Sequence, residues 1–193
     1  MKRLPLLAVL LLAAAPGPAR AEAPPPPKPR PIRVPVVPPR ADDVGSLDGI
    51  IRAWYEIVSG PAGQPRDWGR DRSLYIPGVR FVSVAMKDGK PAVQVRDHQA
   101  FVESSDAALR KGFFEKEIHR VTSQYGTIAH VWSTYESRAT EDGPVLDRGI
   151  NSIELHFDGA RWWIAGAQWF TETQEHPIPA EFLPPGAAPA SGK

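Results

Sequence analysis

Apolar residues at Val44, Leu47, Ile51, Trp54 and Val58 recur in steps of three and four, and Ile50 and Ile57 widen the stripe, so the spacing predicts an amphipathic helix. Asp42 or Asp43 is placed to cap its start, and Ser59-Gly60-Pro61 ends it. Pro65 opens a shorter helix about Trp68 to Leu74, which Pro77-Gly78 stops. Val79 to Met86 reads as a strand. Asp88-Gly89 turns it back into a short strand at Ala92 to Val95. Asp97 then caps a third helix that carries Phe101, Val102, Ala108 and Leu109 and ends at Gly112.

The last third changes period. Segments rich in β-branched and aromatic residues are separated by Tyr125-Gly126, by Glu141 to Pro144 and by Asp158-Gly159. They predict four long strands: Phe113 to Gln124, Thr127 to Ala139, Leu146 to Phe157 and Arg161 to Thr171. Helices first, then a long antiparallel sheet with one face left to cover, is an α+β architecture.

Several local patterns carry a resemblance. They are Arg66-Asp67-Trp68 before Pro77-Gly78-Val79-Arg80-Phe81, Phe113-Phe114-Glu115, Ala129-His130-Val131-Trp132, and Asp158-Gly159 followed by Trp162-Trp163-Ile164. In this order, behind an amphipathic helix, they resemble the nuclear transport factor 2 superfamily, which includes SnoaL-like and ketosteroid isomerase-like proteins. The resemblance implies a cone: a curved antiparallel sheet covered on its concave face by about three amino-terminal helices. It says little about function, because that fold houses isomerases, dehydratases, cyclases and plain binding or assembly modules.

Side chains alternate across a strand, so a two-residue hairpin at Tyr125-Gly126 sorts the residues into two faces. One face carries Phe114, Ile118, Arg120, Val131, Ser133, Tyr135, Asn151, Ile153, Leu155, Phe157, Trp162, Ile164 and Gln168. Being the more apolar, it is expected to be concave and to line any cavity. Its polar members Arg120, Ser133, Tyr135, Asn151 and Gln168, with Tyr55 from the first helix, are the candidate ligand contacts for a small, largely apolar ligand. The bland account of the same residues is that they satisfy one another in the core.

The other face carries Glu115, Glu117, His119, His130, Trp132, Thr134 and Glu136, with Ser152, Glu154, His156, Trp163 and Trp169. Aromatic anchors among charges suit an interface, and members of the resembled superfamily often dimerise through this face. A homodimer through Trp132, Trp163 and Trp169 is therefore expected. His119, His130 and Glu117 would be enough ligands for a zinc ion, yet no HxH or HExxH spacing is present, and no metal or other cofactor is expected.

A ketosteroid isomerase needs a carboxylate base, a tyrosine and a protonated acid in an apolar pocket. The resemblance places Tyr55 where that tyrosine stands, but Val79 to Met86 holds no Asp or Glu, and Ile153 and Leu155 occupy the place of the second acid. There is no cysteine nucleophile, GxSxG elbow, phosphate loop or dinucleotide fingerprint. The expectation is an exported ligand-binding or dimerisation module. The alternative is a lyase or isomerase, dehydratase-like or cyclase-like, using Tyr55, Tyr135, Arg120 and a histidine on a small apolar substrate.

Composition adds the domain limits. Met1-Lys2-Arg3, an apolar run from Leu4 to Ala15 and Ala19-Arg20-Ala21 read as a cleavable signal peptide over residues 1–21. Its apolar run is too short for a membrane span, which takes about 20 residues. A periplasmic or secreted domain with no membrane span after cleavage is expected. Nine of the sixteen residues from Pro24 to Pro39 are proline, which predicts a stiff spacer over 22–41. The folded unit is expected over 42–183, followed by a disordered tail over 184–193. From Ala41 onward there are 16 basic and 21 acidic residues, so the domain is acidic and nucleic acid is excluded as a partner.

Overall fold

A computed structural model describes residues 31–187. The segments read as signal peptide and as the first part of the spacer, and residues 188–193, lie outside the described residues.

The first amphipathic stripe forms two helices rather than one, α1 (Ala41–Val44) and α2 (Leu47–Val58). The cap of α2 is Ser46, in an extended conformation, whose hydroxyl accepts from Gly49 N at 3.0 Å. Asp43 is not the cap because its carboxylate is committed elsewhere: Arg70 grips both oxygens at 2.7 and 2.8 Å. Gly49 lets α1 press close, since a Cβ there would stand 2.4 Å from Asp42 O. The buried stripe of α2 runs through Ile50, Ile51, Trp54, Tyr55 and Ile57. Helix α3 (Trp68–Arg72) is capped by Asp67, and α4 (His98–Leu109) by Asp97, which accepts from Ala100 N at 2.8 Å.

Six strands make one curved sheet: β1 (Tyr75–Lys87), β2 (Lys90–Arg96), β3 (Phe114–Tyr125), β4 (Ile128–Arg138), β5 (Asp147–Phe157) and β6 (Trp162–Thr171). Their order is β2-β1-β6-β5-β4-β3. The sheet is mixed, not wholly antiparallel, because β1 pairs in parallel with β6. The helices cover its concave face, giving the α+β cone. The main core lies between them, with Ile50, Ile51, Phe81, Val131, Ile153 and Ile164 almost wholly buried.

Two single-residue irregularities decide which side chains face that core. In β3 the register passes from His119↔Thr134 to Glu117↔Tyr135, leaving Ile118 as an extra residue. In β6 it passes from Leu155↔Ile164 to Glu154↔Gly166, leaving Ala165 extra. Each bulge inverts the alternation beyond it. Glu115 and Glu117 therefore face the concave side with Ser137 and Tyr135, contrary to the count from the hairpin, and Phe114 faces outward with Arg138. In the same way Trp169, opposite Asn151, is on the concave side, and Gln168, opposite Ser152, is on the outer one.

Both ends of the described chain lie against the sheet and helices. Residues 31–40 have no regular secondary structure. Ile32 and Val34 pack beside Trp68, Val102 and Leu109, and Ile32 O accepts from Gln99 Nε2 at 2.8 Å. After β6 the chain crosses the outer face through a 3₁₀ turn, Ala180–Phe182, burying Ile178 and Leu183. Thr134 Oγ1 donates to Phe182 O, and the Phe182 ring lies 5.4 Å from that of Trp132.

Candidate functional site

Tyr55 on α2, Ser133 on β4 and Asn151 on β5 meet in the concave core, where all three are buried. Asn151 Nδ2 donates to the Tyr55 hydroxyl at 3.0 Å, the Tyr55 and Ser133 hydroxyls are 2.7 Å apart, and Ser133 Oγ donates to Glu117 Oε1 at 2.5 Å. Arg120 holds Glu117 with two bonds at 2.8 and 2.6 Å and reaches Asp48 at 2.6 Å. These bonds give the chain one direction. The Ser133 proton goes to the Glu117 carboxylate, so Tyr55 must donate to Ser133, and its oxygen accepts from Asn151. The Tyr55 hydroxyl is thus fully used within the protein. Burial raises its pKa well above the ordinary tyrosine value, with the Glu115 charge adding to it.

Glu115 is different. Its backbone is tied to Ser59, whose hydroxyl accepts from Glu115 N at 2.9 Å and donates to Glu115 O at 3.1 Å. Its carboxyl receives one bond, from Asn151 Nδ2 to Oε1 at 3.3 Å, and Oε2 has no partner among the described residues. The residue is half-buried and keeps part of its surface open to a cleft. Burial pushes that carboxyl up to about 7, against the pull of the Asn151 bond.

The cleft measures about 250 Å³, and Phe101, Leu109, Trp169, Tyr135, Asn151 and Glu115 are among its walls. The Tyr135 ring lies directly over Gly149, its partner in the β4–β5 register; a Cβ there would stand 2.5 Å from the Tyr135 hydroxyl. That hydroxyl shares a hydrogen bond with Thr171 Oγ1 at 3.2 Å, and burial pushes its pKa up to about 12. On its other side Glu115 borders a second opening of about 420 Å³, with Arg52, Tyr55 and Arg120.

Five of the six residues expected as ligand contacts, Tyr55, Arg120, Ser133, Tyr135 and Asn151, therefore lie on or beside the concave face. The sixth does not. Gln168 is exposed on the outer face, in a groove with Trp132, Ile150 and Ile178, because the Ala165 bulge reverses its side. Glu115, Glu117 and Trp169 join the site instead. A faint trace of the β3 bulge exists in the sequence: Ile118 and Val121 are three apart, a step that no even alternation accommodates.

The tryptophans expected to share one outer surface are placed apart. Trp132 packs with His130 and Phe182, and Trp163 donates to Asp158 at 2.6 Å beneath the Arg161 guanidinium. Trp169 meets Phe101 on the concave side. Glu117 faces away from His130, which bonds Ser152 Oγ at 2.9 Å. Among the described residues, no three His, Asp or Glu side chains are grouped to hold a metal ion.

No protein-family model matches the chain, and no curated protein matches it. Solved structures similar to it include proteins described as NTF2-like, as candidate ketosteroid isomerases and as cystatin-like in fold. An NTF-2-like protein of unknown function from Silicibacter pomeroyi is 14% identical, with a TM-score of 0.42 and coverage of 66% of this chain and 94% of that one. A domain of unknown function with a cystatin-like fold from Nostoc punctiforme is 12% identical, with a TM-score of 0.49 over 69% of this chain and 78% of that one. A candidate ketosteroid isomerase from Shewanella frigidimarina is 15% identical, with a TM-score of 0.43 over 69% of this chain and all of that one. At such identities no activity transfers.

Proposed function

We propose that the concave cleft binds a small, largely apolar ligand carrying one polar group, and that Glu115 exchanges a proton with it. The observation that carries this reading is the Glu115 carboxyl itself: one oxygen unpartnered, walls of Phe101 and Trp169 beside it, and a proton affinity held near neutrality by burial. A carboxyl so poised takes and returns a proton at neutral pH far more readily than a solvated one. The reaction class is that of an isomerase or lyase. Glu115 would remove a proton from carbon next to a carbonyl, the electron pair would move onto the carbonyl oxygen, and the Tyr135 hydroxyl would donate to that oxygen. Return of the proton to another carbon completes an isomerisation. A cleft of about 250 Å³ suits a compact substrate.

The test is exchange of the α-protons of cyclohexanone into D₂O, followed by NMR with the full chain. Saturable acceleration that Glu115→Gln removes supports the proposal. Saturable shifts at Tyr135 and Asn151 without exchange would retain the ligand cleft and overturn the proton step, and the absence of both would overturn the whole reading.

A further inference from the structure

Another cavity, of about 480 Å³, lies between the start of α4 and the irregular start of β1. The register there jumps from Tyr75↔Ile164 to Arg80↔Gly166, so residues 76–79 bow away from β6. Among the described residues, three arginines stand on the wall, Arg72, Arg80 and Arg161, with Asp97 as the only acid. None of the three has a carboxylate within ion-pairing distance among the described residues. Asp97 is already engaged in capping α4. The segment at Val36, Val37 and Pro39 forms another wall.

Two features go beyond a surplus of charge. The Arg161 guanidinium is fixed rather than free: it lies 3.7 Å from the centre of the Trp163 ring and donates to Trp162 O and Ser73 O. Stacking and two backbone bonds orient a planar donor, and the nearby Asp158 carboxylate, beyond ion-pairing distance, is already committed to Trp163 Nε1 and to the Ala160 and Arg161 backbone, an arrangement that leaves the guanidinium able to meet a planar or tetrahedral oxyanion. His98, only 5% exposed, also lines the cavity. Its Nε2 is paired with Asp71 Oδ2 at 2.8 Å, but its buried Nδ1 has no partner. With Nε2–H directed at Asp71, Nδ1 is an acceptor, and an unmatched buried acceptor is costly unless a donor such as the P–OH of a monoprotonated phosphate completes it. His98 and Gln99 also open the twelve-residue helix α4, whose positive dipole end faces the same wall.

The geometry points to a binding site for a small molecule carrying an oxyanion, a carboxylate or a phosphate, held by Arg161 with Arg72 and Arg80 at the start of α4. This site is separate from the Glu115 cleft. The two share no wall residue.

Isothermal titration of the full chain with sodium benzoate and with inorganic phosphate tests it, against sodium chloride at matched ionic strength. The expected result is saturable binding of at least one oxyanion, weakened at least fivefold in the exposed pair Arg72→Gln/Arg80→Gln and about tenfold in Arg161→Gln. Benzoate alone identifies a carboxylate ligand, and phosphate alone a phosphoryl one. If Arg161→Gln does not fold, the exposed pair decides. Heat reproduced by chloride, no saturation with either anion, or variants that bind like the wild type would overturn the proposal.

Discussion

Asn151 Nδ2 reaches over β4 to place one hydrogen on Glu115 Oε1 at 3.3 Å and the other on the Tyr55 hydroxyl at 3.0 Å. One amide therefore links the unpaired carboxyl of the cleft to the satisfied hydrogen-bond chain that runs out to Arg120. It fixes the orientation of its own amide group, and it supplies the only bond that resists the upward shift of Glu115.

Asn151→Leu should raise the Glu115 pKa further, since the burial that raises it remains and the bond that lowers it is lost. It should also cost about 1–3 kcal/mol, because the buried Tyr55 hydroxyl loses a donor. Side-chain ¹³C titration of Glu115 and urea unfolding measure the two effects. An unchanged or lowered Glu115 pKa would contradict the role assigned to Asn151.

Glu115→Gln should stabilise the protein at pH 8 and leave it unchanged near pH 4. The folded chain keeps the Glu115 proton up to about pH 7, whereas the unfolded chain releases it near 4.5. The folded state thus binds more protons between these values, and stability is full below the lower one and falls until the pH passes the upper one. Glutamine mimics the protonated form throughout. With water entering the cleft, the gain at pH 8 is roughly 2 kcal/mol. Tm measured against pH for both proteins checks the sign, and parallel curves would refute it.

Asp43→Asn should destabilise by roughly 2–4 kcal/mol, because among the described residues it leaves the Arg70 guanidinium with only Glu56 as a charged partner, and it loosens α1. The Arg70 hydrogen bond holds the Asp43 carboxyl below its ordinary range. Its contribution is therefore full above about 3.8 and lost as pH falls through the lower folded value. The gap between wild type and variant should close in acid, and denaturation curves at pH 7 and pH 2.5 test this.

Leu183→Ala should cost about 2–3 kcal/mol, as for other buried leucines. Removal of residues 176–193 should go further, uncovering Trp132 and Thr134 and leaving an apolar strip on the outer face of the sheet. Light scattering and tryptophan emission should then show self-association and a change in the Trp132 environment. A truncated chain that stays monomeric with unchanged emission would mean that the segment is not a cover in solution.

Much of the architecture follows from local rules, and those rules are legible. The four late strands begin and end within one residue of the bounds expected from the breaks at Tyr125-Gly126, Glu141 to Pro144 and Asp158-Gly159, and Asp97 caps the helix that its spacing predicts. Helix stripes, caps and tight turns each depend on a handful of neighbouring residues, so the amino-acid order alone determines them. The inward positions of Tyr55, Ser133, Tyr135 and Asn151 were legible for the same reason, because no irregularity lies between the β4–β5 alternation and the core.

The tertiary structure decided the rest. A bulge at Ile118 carries no glycine or proline to announce it; it arises where β3 accommodates to β4 and to the helix above. One extra residue in a period of two turns every later side chain to the opposite face. It brings Glu115 inward, and the second bulge exchanges Gln168 for Trp169. The β1–β6 parallel pairing and the carboxy-terminal cover over Trp132 are likewise long-range contacts, visible in no local window. Hydrophobic pattern therefore determined which segments would be strands and helices, whereas the side on which the acid stands depended on register, a property set by the sum of cross-strand packing.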